Sequence, residues 1–349
     1  MSLANSKYDF VIYIGRMQPP TRAHVSIVQR ALTLGNRTLV MFGSSFQPRT
    51  FKNPWSWTER TTMLLNQLPP KDTPRVSCIG LHDYRYNDTE WAQQVQHEVK
   101  KYCVGLDKPK IGIIGCKKDS SSYYLELFPQ WDFIDVEQIE DVNATQVREE
   151  LFTGALFKWH DRDLISAELT TYLKEWSKSN EYKELVNEFN FVNDYKKSWE
   201  AAPYAPTFVT VDAAVIQSGH ILLVQRRATP GKGLWALPGG FVNPQEYLTV
   251  AVLRELREET KLKVPTAVLA GSIKGKEVFD NPGRSLRGRT ITHAFAFHLP
   301  AGELPKVKGG DDAAKAKWFP IDDVLNMEEY LFEDHIDLVR FGIKVCGLN

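Results

Sequence analysis

Glu255, Glu258 and Glu259 are spaced so that, on a helix, their carboxylates share one face. Like charges gathered there repel one another unless a divalent cation neutralises them, and oxygen-only ligands suit Mg²⁺ or Mn²⁺. A cation so held activates water and clamps a diphosphate. Leu248, Val252 and Leu256 supply the opposing apolar stripe that docks such a helix. Arg254 stands where it can brace the carboxylates. Upstream, Gly239-Gly240 makes a loop whose carbonyl at Gly240 is a further candidate ligand. The metal candidates are Gly240, Glu255, Glu258 and Glu259, and the catalytic candidates are Glu258 and Arg254.

A second constellation lies near the start of the chain. The apolar run Phe10–Gly15 leads straight into Arg16-Met17-Gln18-Pro19-Pro20-Thr21-Arg22-Ala23-His24. Gly15 lets the backbone leave a strand sharply, and the two prolines stiffen the loop. Thr21 can cap a helix starting near Arg22, whose N-terminal N–H groups then face an anion. His24 adds a donor and Arg16 a fixed positive charge, an arrangement suited to a triphosphate attacked at one phosphorus. Read without such a ligand, the segment is a strand, a turn and a capped helix with a partly exposed histidine.

The elements around these residues fall into two patterns. In the first half, Phe10–Gly15, Thr38–Ser44, Val76–Leu81, Lys110–Gly115 and Trp131–Val136 are apolar runs suited to strands buried on both faces. Amphipathic stretches alternate with them; in His24–Leu34, Val25, Val28 and Leu32 form one stripe. This alternation implies a doubly wound α/β domain with ligands beyond the carboxyl ends of its strands. Residues 167–199 read as one or two closing helices. Ala201–Pro206 then reads as a linker. The pattern beyond it is β-rich. Thr207–Ile216 and His220–Gln225 flank Ser218-Gly219 as a hairpin. A helix is predicted over 246–262 and a strand over Thr290–Leu299, an α+β domain on a mixed sheet. The expected division is residues 1–185, a helical and proline-containing linker at 186–206, and residues 207–349.

Composition excludes several classes. Lys+Arg and Asp+Glu both count 43, so the net charge is zero and the electrostatic footprint of a nucleic-acid binder is missing. No apolar run approaches the ~20 residues that span a bilayer. Cys78, Cys103, Cys116 and Cys346 form no CxxC pair and fit neither a zinc site nor a disulfide framework. With no apolar signal core at the N-terminus, the expectation is a cytoplasmic protein without nucleic-acid or membrane partners. The sequence leaves homo-oligomerisation open.

The loop from Gly15 to His24 resembles the GRxQPxHxGH signature of the nucleotidyltransferase superfamily, in its nicotinamide-nucleotide adenylyltransferase branch. Its (H/T)xGH core reads Thr21-Arg22-Ala23-His24 here, with Ala23 where glycine is usual. Ser44-Ser45 and Asn53–Arg60 resemble the family's GSA and NPFTxxER segments. Asp83–Trp91 resembles a DxxxN…W segment. The resemblance implies that Asn87 hydrogen-bonds the carboxamide and that Trp91 stacks on the nicotinamide ring, a cation–π contact of about 0.5–2 kcal/mol. Lys118-Asp119 and the residues to Trp131 resemble two-domain members. Asn143–Arg148 resembles the closing SxTxxR motif, with Asn143 in place of serine, and implies that Thr145 and Arg148 hold the β- and γ-phosphates. The implied reaction is adenylyl transfer from ATP to nicotinamide mononucleotide, with Mg²⁺ on the phosphates. It assigns catalysis to His24, Arg16 and Arg148, and substrate contact to Gly15, Gln18, Thr21, Asn87, Trp91, Lys118, Asp119 and Thr145.

Gly240, Glu246 and Arg254–Leu262 match the Nudix box, GX5EX7REUXEEXGU. Six fixed positions at about one in fifteen each come to roughly 10⁻⁷ per starting site, so chance is a poor explanation. Lys261 replaces the glycine that ends the box helix; lysine can adopt the same left-handed conformation at modest cost, and an altered helix end with retained chemistry is expected. Trp235–Val242, Arg287-Gly288-Arg289-Thr290 and Gly309–Ala313 resemble ADP-ribose pyrophosphatases fused to the adenylyltransferase. That resemblance implies an α/β/α Nudix fold and hydrolysis of ADP-ribose to AMP and ribose 5-phosphate. Arg287 or Arg289 would hold the phosphates or terminal ribose, and Asp311 or Asp312 a further carboxylate position. Two other readings stand: a Nudix domain acting on another nucleoside diphosphate, or one that only senses ADP-ribose. The expected small-molecule partners are ATP, nicotinamide mononucleotide, NAD and ADP-ribose.

Overall fold

The computed structural model describes residues 6–116, 120–136, 143–156 and 165–348. Lys118 and Asp119 lie outside them. The chain divides into two compact units, Met1–Asn187 and Glu188–Asn349.

The first unit carries strands β1 (Tyr8–Gly15), β2 (Gly35–Phe42), β3 (Val76–Gly80), β4 (Ile111–Gly115) and β5 (Asp132–Asp135). They form one sheet in the order β3-β2-β1-β4-β5. Every pairing is parallel. Helices α1 (Arg22–Leu34), α2 (Trp57–Leu65), α3 (Asp88–Tyr102), α4 (Ala144–Phe152) and α5 (Ala167–Trp176) connect and close it, and α6 (Asn180–Lys197) comes next. The continuous apolar runs have their cause in two cores. Val11 and Tyr13 of β1 pack with Val25, Val28, Ala31 and Leu32 of α1 on one face. Ile12 and Ile14 pack with Val95 and Val99 of α3 on the other. Both faces are buried, so the period-2 alternation of a half-exposed strand is absent. Helix α1 passes into β2 at Gly35 without a loop; a Cβ there would strike Val11. Sheet order reverses direction between β1 and β4, the place where doubly wound sheets open a ligand crevice.

The second unit is a mixed seven-stranded sheet. Its strands are β6 (Phe208–Gln217), β7 (His220–Arg226), β8 (Trp235–Ala236), β9 (Gly239–Phe241), β10 (Ile273–Phe279), β11 (Thr290–His298) and β12 (Ala313–Pro320). The main path runs β10-β11-β6-β7-β12; β8 pairs with β7 and β9 with β6. The β6–β7 turn holds Ser218 and Gly219 at φ 48° and 74°, the two positive values that a tight hairpin requires. Helix α7 (Leu248–Thr260) buries Ala251, Val252 and Leu256 against one face. Helix α10 (His335–Val345) buries Ile336, Leu338 and Val339 against the other, so the sheet lies between helical layers. The short helices α8 (Thr266–Gly271) and α9 (Ile321–Leu325) lie in the connections.

The expected alteration at the end of the box helix is not found. Lys261 takes the left-handed conformation itself, at φ 52° and ψ 27°, and its N–H bonds the Arg257 carbonyl at 3.0 Å. The helix closes as a glycine would close it, because one exposed lysine tolerates that backbone at modest cost. Lys261→Gly is therefore expected to stabilise the protein by about 1 kcal/mol, read as a raised urea midpoint at constant slope.

Candidate active sites

In the first unit, the loop from Gly15 leaves β1 at the reversal of sheet order. Thr21 is the N-cap of α1. Its backbone N–H donates to His24 Nδ1 at 3.0 Å, and its hydroxyl lies 2.8 Å from the same nitrogen. An accepting Nδ1 assigns the proton of the neutral ring to Nε2, which makes that edge a donor. Ala23 sits in the first turn of α1, half-buried, with its carbonyl bonded to Ser26.

Three guanidinium groups converge on this loop. Arg16 is exposed. Arg148 donates to the carbonyl of Gln18, to the Ala144 carbonyl at 3.1 Å and to Thr145 Oγ1 at 3.1 Å. Burial, and then the charge of Arg16, push its pKa down to about 10. Arg60 is fully buried. It donates to the carbonyls of Arg16, Gly43 (2.9 Å) and Ser44 (3.4 Å) and to Ser45 Oγ (3.1 Å). Burial lowers it too, to about 10, against the opposing pull of Asp83. The charge of Arg16 lowers both Arg60 and Arg148, and like charges gathered at one loop favour an anion there. Asp83 is already committed, accepting from the Ser44 N–H at 2.7 Å and the Ser44 hydroxyl at 2.8 Å.

The remaining sequence candidates have visible local work. Gln18 is buried and exchanges both ends of its amide with the Trp55 main chain, at 2.8 and 3.1 Å, which pins the loop. Asn87 caps α3 through the Glu90 N–H at 3.1 Å. Trp91 is half-buried, with Tyr124 and Phe128 each 5.9 Å away between ring centroids. Asn143 caps α4 by accepting the Thr145 N–H at 2.8 Å, the service a serine would give there. Replacing Arg60 by alanine should cost about 3 kcal/mol, because it strips donors from several buried acceptors and leaves Asp83 without its counter-charge. Urea denaturation would read this as a lowered midpoint.

In the second unit, α7 carries the three glutamates at different depths. Glu255 and Glu259 are buried; the Glu258 side chain is 45% exposed. Arg254 donates to Glu255 at 2.8 Å and Glu258 at 3.1 Å, and twice to Glu246 at 2.5 and 3.1 Å. Those hydrogen bonds hold Glu246 at a pKa of about 2. Glu259 accepts the Gly239 N–H at 2.9 Å. Its carboxyl is nonetheless pushed up to about 8, by burial first and then by Glu255 and Asp212. Burial also raises Glu255. A Cβ on Gly239 would strike the Val211 carbonyl and Asp212, and one on Gly240 would strike the Glu255 carboxylate. The backbone contact requires glycine at 239, whereas at 240 a side chain would displace the Glu255 carboxylate.

Among the described residues, no three acidic, histidine or cysteine side chains are gathered to hold an ion as they stand; Arg254 lies among the carboxylates. The donor set still fits a hard divalent cation. It is all oxygen and clustered along α7.

Glu259 and Gly240 open onto a pocket also lined by Arg226, Arg287, Phe332 and Glu333. Arg287 lies 5.0 Å over the Phe241 ring. Its Nε is buried without a hydrogen-bond partner. Arg289 is turned away, bonded to the Asp280 carbonyl and 3.9 Å from its carboxylate. Of the two arginines left open by the sequence, Arg287 faces the pocket. Asp312 lines the same pocket, and the charge of Asp311 reaches Glu255.

Comparison with known proteins bears on both units. Residues 12–150 match the cytidylyltransferase-like family model and residues 206–340 the NUDIX domain model. A nicotinamide/nicotinic acid mononucleotide adenylyltransferase of Acinetobacter baylyi is 32% identical over 184 residues, covering 52% of this chain and 94% of that one. An ADP-ribose pyrophosphatase of Methanocaldococcus jannaschii is 37% identical over 137 residues, 39% of this chain and 73% of that one. A bifunctional NMN adenylyltransferase/ADP-ribose pyrophosphatase of Francisella tularensis, solved with AMP and a manganese ion, superposes at a TM-score of 0.90. It is 36% identical and covers 97% of this chain and all of its own.

The chain belongs to the bifunctional NMN adenylyltransferase/ADP-ribose pyrophosphatase family.

Arg60 and Asp83, bonded around the phosphate loop, and Arg226 and Glu333, lining the second unit's pocket, are not among the candidates read from the sequence. Arg60 and Asp83 lay inside the motif segments, yet nothing in residue type marks a buried arginine. Arg226 ends a strand whose register places it in the pocket. Glu333 lies about 70 residues beyond the box. Among the described residues, no helix is long and apolar enough to cross a membrane.

Proposed function

We propose that residues 1–185 transfer the adenylyl group of ATP to nicotinamide mononucleotide, giving NAD and pyrophosphate. Residues 207–349 hydrolyse ADP-ribose to AMP and ribose 5-phosphate, and residues 186–206 join the two. The observation that carries this reading is the likeness of nearly the whole chain to one bifunctional enzyme, with Glu255, Glu258 and Glu259 intact on α7.

In the first reaction the mononucleotide's 5′-phosphate oxygen attacks the α-phosphorus in line, and the bond to pyrophosphate breaks. No protein nucleophile is needed; positioning and charge neutralisation carry the rate. Arg16 and Arg148 neutralise the phosphates. His24 donates from Nε2, and the N-termini of α1 and α4 offer N–H groups. In the second reaction Glu255, Glu258, Glu259 and Gly240 would hold Mg²⁺ or Mn²⁺, which supplies water activation and charge neutralisation at the diphosphate. Arg254 keeps the carboxylates in place until then, and Arg287 binds a substrate phosphate. Loss of the Glu259 proton accompanies cation binding. Mg²⁺ on the ATP phosphates serves the first site.

The four free cysteines suit a cytoplasmic enzyme, and zero net charge suits nucleotide substrates rather than nucleic acid. Incubation of the protein with ADP-ribose and Mg²⁺, with products separated by chromatography, should yield AMP and ribose 5-phosphate. Saturable binding without turnover would replace the hydrolase with a sensor. In parallel, ATP with nicotinamide mononucleotide should yield NAD.

A further inference from the structure

Helix α6 reads in the sequence as a closing helix running into a linker, yet from Glu188 onward the chain belongs to the second unit. Glu188 is buried, 8% exposed, where a carboxylate is rarely found without a partner. It accepts the Gly231 N–H at 3.3 Å. Gly231 lies in the loop between β7 and β8, and that loop forms one wall of the pocket, which Arg226, Arg227 and Ala228 line.

The loop is built so that a pull at Gly231 is felt at Arg226. Gly231 and Gly233 have φ of 73° and 86°, a backbone suited to glycine. A Cβ on Gly231 would strike the Phe332 ring, so the backbone seats directly on that ring. Arg226 lies 4.0 Å over the same ring and donates from Nε to the Pro230 carbonyl at 3.0 Å. Its own carbonyl accepts the Gly233 N–H at 2.9 Å. Two glycines make such a loop entropically costly to order, so a fixed acceptor from a helix outside it has leverage. The same stretch of chain also supports the facing wall. Tyr195 of α6, and Trp199 just beyond it, lie 5.8 and 5.3 Å from Phe208 between ring centroids. Phe208 in turn lies 5.9 Å from Phe241, which lines the pocket.

We propose that Glu188 is a positioning residue of the hydrolase: through the Gly231 N–H it sets the loop that carries Arg226, so that the working hydrolase begins inside α6. This rests on the hydrolase reading above. The test compares Glu188→Ala with Glu188→Gln, which keeps the length and an acceptor oxygen, in the full chain with Mg²⁺. In the alanine variant the KM for ADP-ribose should rise about tenfold with kcat within about twofold, because the loop carries none of the cation's candidate ligands. The glutamine variant should restore most of the loss, and NAD synthesis should be unchanged in both. Trypsin cleavage after exposed Lys232, in the same loop, gives a readout independent of turnover; it should be about tenfold faster in the alanine variant and near wild type in the glutamine one. An unchanged KM, a fall in kcat at constant KM, unchanged cleavage at Lys232, or a glutamine variant as impaired as the alanine one would each overturn the proposal. If the alanine variant fails to fold, Glu188→Asp takes its place, keeping the charge but losing the reach, with the same outcomes. If wild type hydrolyses no ADP-ribose, the hydrolase reading falls, and the cleavage rates still decide whether Glu188 holds the loop.

Discussion

Glu258→Gln is expected to lower ADP-ribose hydrolysis by about a thousandfold or more and to leave NAD synthesis unchanged. Glu258 is the least buried of the three box glutamates, and its carboxylate accepts from Arg254 at 3.1 Å. Glutamine keeps the length, the helix propensity and an acceptor oxygen, so the fold should lose little. The loss is a negative charge among oxygen donors suited to a divalent cation. Glu255 and Glu259 cannot replace it, because both are buried and burial raises the pKa of each. Adenylyl transfer should be untouched, since α7 belongs to the unit Glu188–Asn349 and the phosphate loop to Met1–Asn187. Both rates are measured on one preparation, with the thermal midpoint as the folding control. Loss of both activities in a folded variant would defeat the two-site model.

His24→Ala should do the reverse. Loss of a positioned donor at a developing phosphate charge costs about 10²–10³ in kcat. The same side chain has a structural task, since its Nδ1 accepts the Thr21 N–H in the cap of α1. Losing that cap costs about 1 kcal/mol. The two roles separate cleanly: a capping role lowers the thermal midpoint and leaves kcat alone, whereas the catalytic role lowers kcat in protein that is still folded. Unchanged NAD formation in the alanine variant would remove His24 from the mechanism. Hydrolysis of ADP-ribose should be normal.

Much of this was legible from residue order because it is encoded locally. Strand β1 and helix α1 arise from an apolar run, a glycine and a capping threonine, and the hairpin from Ser218-Gly219. The box glutamates are set by helical periodicity, which places Glu255, Glu258 and Glu259 on one face whatever surrounds them. The departure at Lys261 was legible too, as was the modest cost of a left-handed lysine; only the altered helix end is not found, because the rest of α7 outweighs that cost.

Tertiary structure decided what local patterns could not. Arg287 and Arg289 are two residues apart on one short segment, equivalent as sequence; only packing against Phe241 and the Asp280 loop separates them. Arg60 became a buried organiser of the phosphate loop because four main-chain and side-chain acceptors from distant segments converge on it. Glu333 and Arg226 join one pocket through sheet register and the placement of α10. The sequence alone determined which chemistry each half could perform, since side-chain type and helical or strand spacing are local. The fold determined which charges are buried, which are paired and which face a ligand, since desolvation and long-range contact exist only once the chain has closed on itself.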